Sequence, residues 1–319
     1  MLDARPARFR ARRIEVGTEG APALDLPRIL REEYGPTRGH ADVIVAKKAL
    51  HELPRALQPG VIQACHDALV PGGRLVLFAD APRRAMTDAQ HAWLQALRHE
   101  LAALADAMDG AALAPDAAAD DGAVEVAARL QRLRDTLTGA LVLGEDERDL
   151  AFFCNLWVHL KDWANGNRHE LAQRYFSSRE EIQAWGAAAG FRPVGEAVEG
   201  HYRMAAPLFN EVGIQRAADH LERHGPAAAS HPAHAARLAG WLSAAAHAPF
   251  ALFCEVVEHH LGGGTSPLGR IAVDPRDPFT RLDFGRIDPA LGALGLEQPP
   301  AVTLRFPVHV LAFERPHAG

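Results

Sequence analysis

Two short apolar segments near the start of the chain have the pattern of buried strands. Residues 42–46 have the sequence Asp-Val-Ile-Val-Ala, and residues 74–79 have the sequence Arg-Leu-Val-Leu-Phe-Ala. Such continuous apolar runs are typical of parallel strands that are covered on both faces. Between them, residues 54–69 place their apolar side chains on one helical face, and Pro71-Gly72-Gly73 predicts a turn. Strand, helix and strand with short links form a βαβ unit, which predicts a parallel sheet with a right-handed crossover.

Most of the remaining chain is predicted to be helical, with strands near both ends. The Ala- and Asp-rich segment 109–123 has low complexity, which predicts a mobile loop. Ser178 followed by Glu181 is the pattern of a capping box, and Gly190 would end that helix. The further predictions are helices at 24–34, 87–108, 124–138, 146–164, 213–224 and 233–260, strands at 12–17, 191–204, 301–307 and 308–315, and mostly loop at 261–300.

The composition is that of a globular protein that needs no disulfide. The 319 residues are 48% hydrophobic and 23% charged, and the formal net charge of −6 gives no general attraction to nucleic acid. The three cysteines, Cys65, Cys154 and Cys254, form no CxxC pair, and their odd number favours a reducing cytoplasm. No apolar run reaches the roughly 18 residues of a membrane-spanning helix. No membrane partner is therefore expected. His259 and His260 are adjacent and point to different faces of a helix end, and the other histidines are scattered without ligand spacing, so no metal is expected either.

A set of ordered motifs surrounds the two strands. Asp42 opens the first strand, Leu50-His51 follows it, and Leu69-Val-Pro-Gly-Gly73 leads into the second. This arrangement resembles the fourth-to-fifth strand region of class I S-adenosylmethionine (SAM)-dependent methyltransferases. Two later stretches are similar to the helix and Gly-Phe turn before that family's sixth strand and to its closing antiparallel strand. They are residues 175–191, which include Gly190-Phe191, and residues 308–315.

The resemblance implies an α/β fold with a Rossmann-like methyltransferase sheet, parallel with one antiparallel strand, and with large helical insertions. Residues 1–86 would form part of the Rossmann-like core. Residues 87–176 would form a helical insertion or lid that carries the mobile loop. Residues 177–319 would complete the core and include a second helical insertion at 205–260.

The first half of the family's sheet has no counterpart in this sequence. Only 41 residues precede Asp42, and no Gly-x-Gly occurs among them, so the family's glycine-rich loop is missing and the sheet is predicted to be incomplete at its N-terminal half. Three explanations remain open: a start that lies upstream, a second chain that supplies the missing strands, or a remodelled relative. We favour the first. Without those strands Val43 to Ala46 would form an exposed edge, which a homo-oligomer or a partner chain would cover.

The resemblance also implies which residues hold SAM. In the family, the backbone after the fourth strand contacts the methionine part of the cofactor, and Ala46 and Lys47 match that position. The turn after the third strand contacts the adenine, and the matching residues here are Gly17, Thr18 and Glu19, with Asp25 as a rival position.

Candidate residues for catalysis and for acceptor binding lie farther along the chain. His51 follows the end of a parallel strand, where ligands bind in open α/β sheets, and an imidazole can serve as a general base near neutral pH. It could equally cap or pack at the strand end. Trp157, His159, Arg174 and Tyr175 are predicted to line an acceptor pocket, and the alternative is that they form core with a charged rim.

Together these features predict a SAM-dependent methyltransferase, or a truncated or divergent member of that family, that transfers a methyl group to a small-molecule acceptor. The missing glycine-rich loop favours the alternative, a non-catalytic methyltransferase-like scaffold or partner subunit.

Overall fold

The computed structural model describes residues 25–34, 40–113, 119–140, 146–164, 175–205, 248–273 and 302–317. The helices are α1 (Leu26–Tyr34), α2 (Gln58–Ala68), α3 (Asp88–Leu113), α4 (Ala119–Ala140), α5 (Glu147–Ala164), α6 (Arg179–Ala188) and α7 (248–261). The strands are β1 (Ala41–Lys47), β2 (Leu69–Asp80), β3 (Arg192–Pro193), β4 (Val198–Ala205), β5 (Ile271–Val273) and β6 (Val302–Glu314). Two short 3-10 turns, Leu50–Glu52 and Arg55–Leu57, connect β1 to α2.

The sheet is parallel apart from one strand. β1 and β2 are parallel neighbours, and β6 lies antiparallel beside β2. β3, β4 and β5 each pair antiparallel with β6, so they run in the same direction as β1 and β2. This confirms the expected Rossmann-like α/β arrangement with one antiparallel strand. Thr303 and Leu304 pair with both β4 and β5, which therefore lie on opposite edges of β6.

The predicted turn at Pro71-Gly72-Gly73 is a bulge inside β2. Ala41 pairs with Leu69, whereas Val43 already pairs with Arg74, so β2 accommodates extra residues between the two pairs. Gly72 has a φ of +79°, in the left-handed region that glycine adopts most easily. Its N–H donates to the carbonyl of Arg315, the residue directly after β6, at 2.7 Å, so the bulge remains hydrogen-bonded to the neighbouring strand's end.

The two predicted strands at 301–307 and 308–315 are the single strand β6, and the prediction of a break at Pro307 was wrong. The Ala81 N–H donates to the Pro307 carbonyl, so the backbone groups of Pro307 point towards the β2 side of β6. At this position β2 has already ended, because its last paired residue is Asp80. A proline is tolerated there because no neighbouring strand requires its missing N–H.

Several other segments differ from their predictions. Within the predicted loop 109–123, α3 continues to Leu113 and α4 begins at Ala119. The predicted loop 261–300 contains β5. The capping box of Ser178 and Glu181 is confirmed at the start of α6, and Gly190, with a φ of +92°, follows its end as predicted. The predicted strand 12–17, the predicted helix 213–224 and residues 274–300 lie outside the described residues.

Two groups of buried residues hold the described elements together. We call the first the sheet cluster; it joins α2 and α6 to one face of β1, β2 and β6 through residues such as Ile62, Leu75 and Phe313. We call the second the helical cluster; it joins α3, α4, α5 and α7 to β5 and to the first half of β6. Among the described helices, none combines the length and the hydropathy that crossing a lipid bilayer requires.

Candidate functional site

A small cavity opens at the carboxyl ends of β1 and β2, where ligands bind in parallel α/β sheets. Its volume is about 10 Å³, which is roughly the space of one water molecule. Its apolar wall belongs to the sheet cluster, and its polar wall carries a carboxylate, an imidazole, a carboxamide and a hydroxyl. The lining residues are Leu50, His51, Gln58, Ala79, Asp80, Ser177 and Ile182.

Asp80, the last residue of β2, is the charged group of the cavity. Its side chain is only 3% exposed. Oδ2 accepts a hydrogen bond from the Tyr202 hydroxyl at 3.0 Å and lies 3.3 Å from Lys48 Nζ. Oδ1 is fully buried and has no hydrogen-bond partner among the described residues. A buried carboxylate oxygen without a donor is unfavourable, so a ligand N–H that reached this atom through the cavity would stabilise it.

Lys48 reaches Asp80 because the chain turns sharply after β1. Its φ of +52° is in the left-handed region, which is uncommon for a residue with a side chain. The Lys48 N–H donates to the Phe78 carbonyl at 2.8 Å, and its ammonium lies 4.1 Å from the centroid of the Tyr202 ring. Burial, together with the neighbouring Asp80 carboxylate, raises the pKa of Tyr202, so its hydroxyl remains a proton donor to Asp80.

Gln58, the first residue of α2, joins three segments of the cavity wall. It is fully buried, and its Nε2 donates to the carbonyls of Leu53 at 2.9 Å and Tyr175 at 3.0 Å. Its Oε1 accepts from the Ser177 hydroxyl. The next residue, Ser178, caps α6. The polar wall is therefore fixed before any ligand arrives, as a preorganised site requires.

His51 lines the cavity, as the sequence suggested for a catalytic candidate. Its side chain is 12% exposed, and its Nε2 lies 3.1 Å from Oε1 of Glu52. Its ring lies 4.8 Å from that of Phe176, and its carbonyl accepts from the Tyr175 N–H at 3.0 Å. These contacts fix the imidazole beside the end of β1.

The other predicted cofactor residues are not part of the cavity lining. Ala46 is half-buried against the sheet cluster, and Lys47 is exposed at the end of β1. Gly17, Thr18 and Glu19 lie outside the described residues. Their roles stay predictions.

Among the predicted acceptor residues that the structure describes, Tyr175 contacts the cavity wall, because its carbonyl accepts from Gln58 Nε2. Its hydroxyl is 3.1 Å from Nε2 of His91, and the Arg55 guanidinium lies 5.5 Å from its ring centroid. Burial raises the pKa of Tyr175 and is also the main cause that lowers the pKa of His91. Arg174 lies outside the described residues.

Trp157 and His159 are buried in the helical cluster, as the alternative interpretation expected for core residues. Trp157 packs against the rings of Phe250 and Phe253. His159 Nδ1 lies 2.5 Å from the Asn155 carbonyl, which places the ring proton there, and Nε2 accepts from Arg98 Nε at 2.8 Å. Burial and the Arg98 charge lower the pKa of His159 to about 3, so the ring is neutral.

Sequence reasoning missed Asp80, Gln58, Ser177, Lys48 and Tyr202 as members of the site. Asp80 had a usable signal, because it directly follows a predicted buried strand whose carboxyl end faces the ligand side of the sheet. Tyr202 had none, since it is 122 positions from Asp80. Among the described residues, no three His, Cys, Asp or Glu side chains are grouped closely enough to hold a metal ion.

Comparison with known proteins identifies no family for this chain. No protein-family model matches the sequence, and no curated protein is significantly similar to it. A search of solved structures found a crystal structure from Bacillus halodurans C-125 whose assignment as a methyltransferase is itself provisional. The alignment has 10% identity and a TM-score of 0.34, and it covers 87% of this chain and 65% of that protein, so this chain spans less than two thirds of its length. A structural similarity at this level supports no conclusion about the function of this chain.

Proposed function

We propose that this chain is a SAM-dependent methyltransferase that acts on a small-molecule acceptor and binds the α-ammonium group of SAM at the cavity at the ends of β1 and β2. The observation that carries the proposal is the buried Oδ1 of Asp80, which has no hydrogen-bond partner among the described residues. The α-ammonium group of SAM is a cation with three N–H donors, and it would satisfy that oxygen.

The size of the cavity limits which part of SAM it can receive. Pockets for whole drug-sized ligands have volumes of roughly 300–1,000 Å³. The cavity here has a volume of only about 10 Å³, roughly the space of one water molecule. It therefore admits a group the size of the α-ammonium, and the rest of SAM would have to lie outside it. Within this space Asp80 would face the ammonium group, and the Ser177 hydroxyl and the Gln58 side chain would lie along the polar wall.

When bound, SAM supplies a methyl group that is already activated by its positive sulfur. The protein then has to position the acceptor in line with that methyl group, and such positioning can lower a barrier by about 7–11 kcal/mol. An acceptor hydroxyl would also have to lose a proton. We assign that role to His51, and its position in the cavity lining with the Glu52 carboxylate 3.1 Å from Nε2 supports the assignment.

The net charge supports the proposed class of acceptor, and the cysteines support the proposed location. A net charge of −6 favours a small-molecule acceptor over nucleic acid. All three cysteines are buried and unpaired, which agrees with a location in the cytoplasm.

Calorimetric titration with SAM and with S-adenosylhomocysteine tests the proposal. We expect saturable binding by the wild type and at least a tenfold weaker affinity for Asp80→Asn, which removes the charge that faces the ammonium. The matched control is Asp67→Asn, because the Asp67 side chain is 56% exposed and lies away from the cavity lining. A flat titration of folded wild-type protein, or equal affinities of Asp80→Asn and wild type, would contradict the proposal.

The second candidate is a non-catalytic methyltransferase-like partner subunit. The observation that favours it is the exposure of two valines on the edge strand β1, Val43 at 55% and Val45 at 61%. A protein that kept the sheet for docking would retain such a surface without binding SAM. A flat titration combined with an intact fold would favour this function.

A further inference from the structure

The edge of the sheet at β1 is uncovered in the described part of the chain. β1 pairs with β2 on one side, and no described strand pairs with its other side. The side chains of Ile44 and Ala46 pack against the sheet cluster, whereas Val43 and Val45 point to the opposite face and are 55% and 61% exposed. Apolar edge strands readily pair with other strands, and proteins normally protect them with charges, prolines or bulges.

The backbone of β1 is also available along this edge. The Lys48 N–H donates to β2 at Phe78. Because backbone groups alternate in direction along a strand, the N–H and C=O groups of Val43, Val45 and Lys47 point away from β2. The two valines with exposed side chains are thus the residues whose backbone groups face the open edge.

We propose that the β1 edge is a self-association surface, on which β1 of a second copy of this chain pairs in antiparallel orientation about a twofold axis at Ile44. In this register Val43 lies opposite Val45 of the second copy. Both residues direct their backbone groups outward, so each such pair exchanges two hydrogen bonds. Ile44 lies opposite its own counterpart, and the exposed valines of both copies adjoin each other on one face of a continuous sheet.

The charges of β1 favour a second copy in this orientation. Asp42 stands near the start of the strand and Lys47 at its end, with apolar residues between them. Antiparallel pairing about Ile44 places Asp42 opposite Ala46 and Lys47 opposite Ala41 of the second copy, so no charged residue lies opposite a like charge. Parallel pairing would place like charges beside each other, which is destabilising. A twofold axis also closes the assembly as a dimer and leaves no free β1 edge.

This inference does not depend on the proposed enzymatic function, since neither Val43 nor Val45 lines the cavity. Sedimentation analysis of the full chain over a concentration series tests it. We expect a reversible dimer for the wild type and at least a tenfold larger dissociation constant for Val45→Lys, which would introduce a charge between the apolar residues of the two strands. Val45 is largely exposed, so the variant should keep the wild-type circular dichroism spectrum.

The control for this variant is Val124→Lys, because Val124 is 69% exposed on α4, away from the edge, and its replacement should leave the dimer unchanged. A wild type that remains a monomer at every concentration would overturn the inference, and would indicate that another segment or a different partner covers the edge. Equal dissociation constants for Val45→Lys and the wild type would overturn it as well.

Cysteine crosslinking tests the register. In the proposed dimer Ile44 faces itself in a non-hydrogen-bonded pair, whose Cα atoms lie about 4.5 Å apart and are within reach of a disulfide. Ile44→Cys should therefore form a covalent dimer under mild oxidation. Val43→Cys, whose neighbour is Val45 of the second copy, should crosslink at least tenfold more slowly. The reverse order of the two rates would exclude this register.

Discussion

The hydroxyl of Tyr202 donates a hydrogen bond to Oδ2 of Asp80 at 3.0 Å, although the two residues are 122 positions apart in the sequence. This bond joins the end of β2 to β4, which is separated from β2 by β6. It also leaves Oδ1 as the carboxylate oxygen without a hydrogen-bond partner among the described residues, because Lys48 approaches the same Oδ2.

Replacing Tyr202 by Phe should lower the free energy of unfolding by roughly 1–3 kcal/mol, since it removes a hydrogen bond to a buried charged group. Tyr175→Phe is the matched variant, because the Tyr175 hydroxyl bonds to the ring of His91, whose pKa is lowered by burial. Its loss should be smaller, about 0.5–1.5 kcal/mol. Urea unfolding of both variants measures the difference, and a larger loss for Tyr175→Phe would contradict this ranking.

Two glycines should respond in opposite ways to replacement by alanine. In α6, a Cβ at Gly186 would lie 2.7 Å from the ring of Phe313, so Gly186→Ala should destabilise the protein by about 1–3 kcal/mol. In α2, a Cβ at Gly60 would meet no atom within 4 Å. Gly60→Ala should stabilise the protein by up to about 1 kcal/mol through helix propensity. Thermal unfolding of the two variants should shift the midpoint in opposite directions; a shift of the same sign in both would count against the packing of α6 on β6.

The buried His159 should make the protein less stable in mild acid. Its pKa is lowered from 6.5 to about 3 by burial and by Arg98. Above pH 6.5 the ring is neutral in both the folded and the unfolded state. As the pH falls from 6.5 towards 3, the unfolded state binds a proton that the folded state does not, so the free energy of unfolding decreases. At pH 5 the decrease from this residue is about 2 kcal/mol.

His159→Gln provides the measurement. A glutamine oxygen can still accept from Arg98, but the side chain does not titrate. The variant should be less stable than the wild type at pH 7 because of altered packing, yet its loss of stability between pH 7 and pH 5 should be smaller by about 2 kcal/mol. Identical losses in the two proteins, measured by urea unfolding, would show that His159 does not carry this pH dependence.

The cysteines should be unreactive in the folded protein. Burial raises the pKa of Cys65 to about 11 and also raises the pKa values of Cys154 and Cys254. Because the thiolate is the reactive form, a disulfide reagent at pH 8 should modify all three cysteines in urea and none of them rapidly in the native state. Val124→Cys should add one rapidly reacting thiol. Rapid native modification of the wild type would contradict the described burial.

The sheet could be predicted from the sequence where its signals are local. The strands at 42–46 and 74–79 are continuous apolar runs on either side of a helix with a single apolar face, and a βαβ unit leaves few topologies for such a pattern. The capping box at Ser178 was likewise predictable, because both of its partners lie within one helical turn.

The features that depend on distant contacts could not be predicted in the same way. A break was predicted at Pro307 because proline lacks an N–H. The strand tolerates this proline because β2 ends before it, and that end is set by pairing across the sheet. Pro71-Gly72-Gly73 predicted a turn. Because a bulge uses the same residue types, the sequence alone does not distinguish the two. His51 was identified from its position after a strand. Which oxygen of Asp80 lacks a partner depends on the partners of the other oxygen, Lys48 directly after β1 and Tyr202 in β4.

The strand β6 contributes to both groups of buried residues. Val302, Leu304 and Phe306 belong to the helical cluster, and Leu311 and Phe313 belong to the sheet cluster. One uninterrupted hydrogen-bonded backbone therefore links the two halves of the hydrophobic interior. If the helices detached, the first half of β6 would expose its apolar side chains to water while the second half stayed paired with β2, which is unfavourable. The helical layer and the sheet are for this reason thermodynamically coupled, and the described part of the molecule should melt as one cooperative unit.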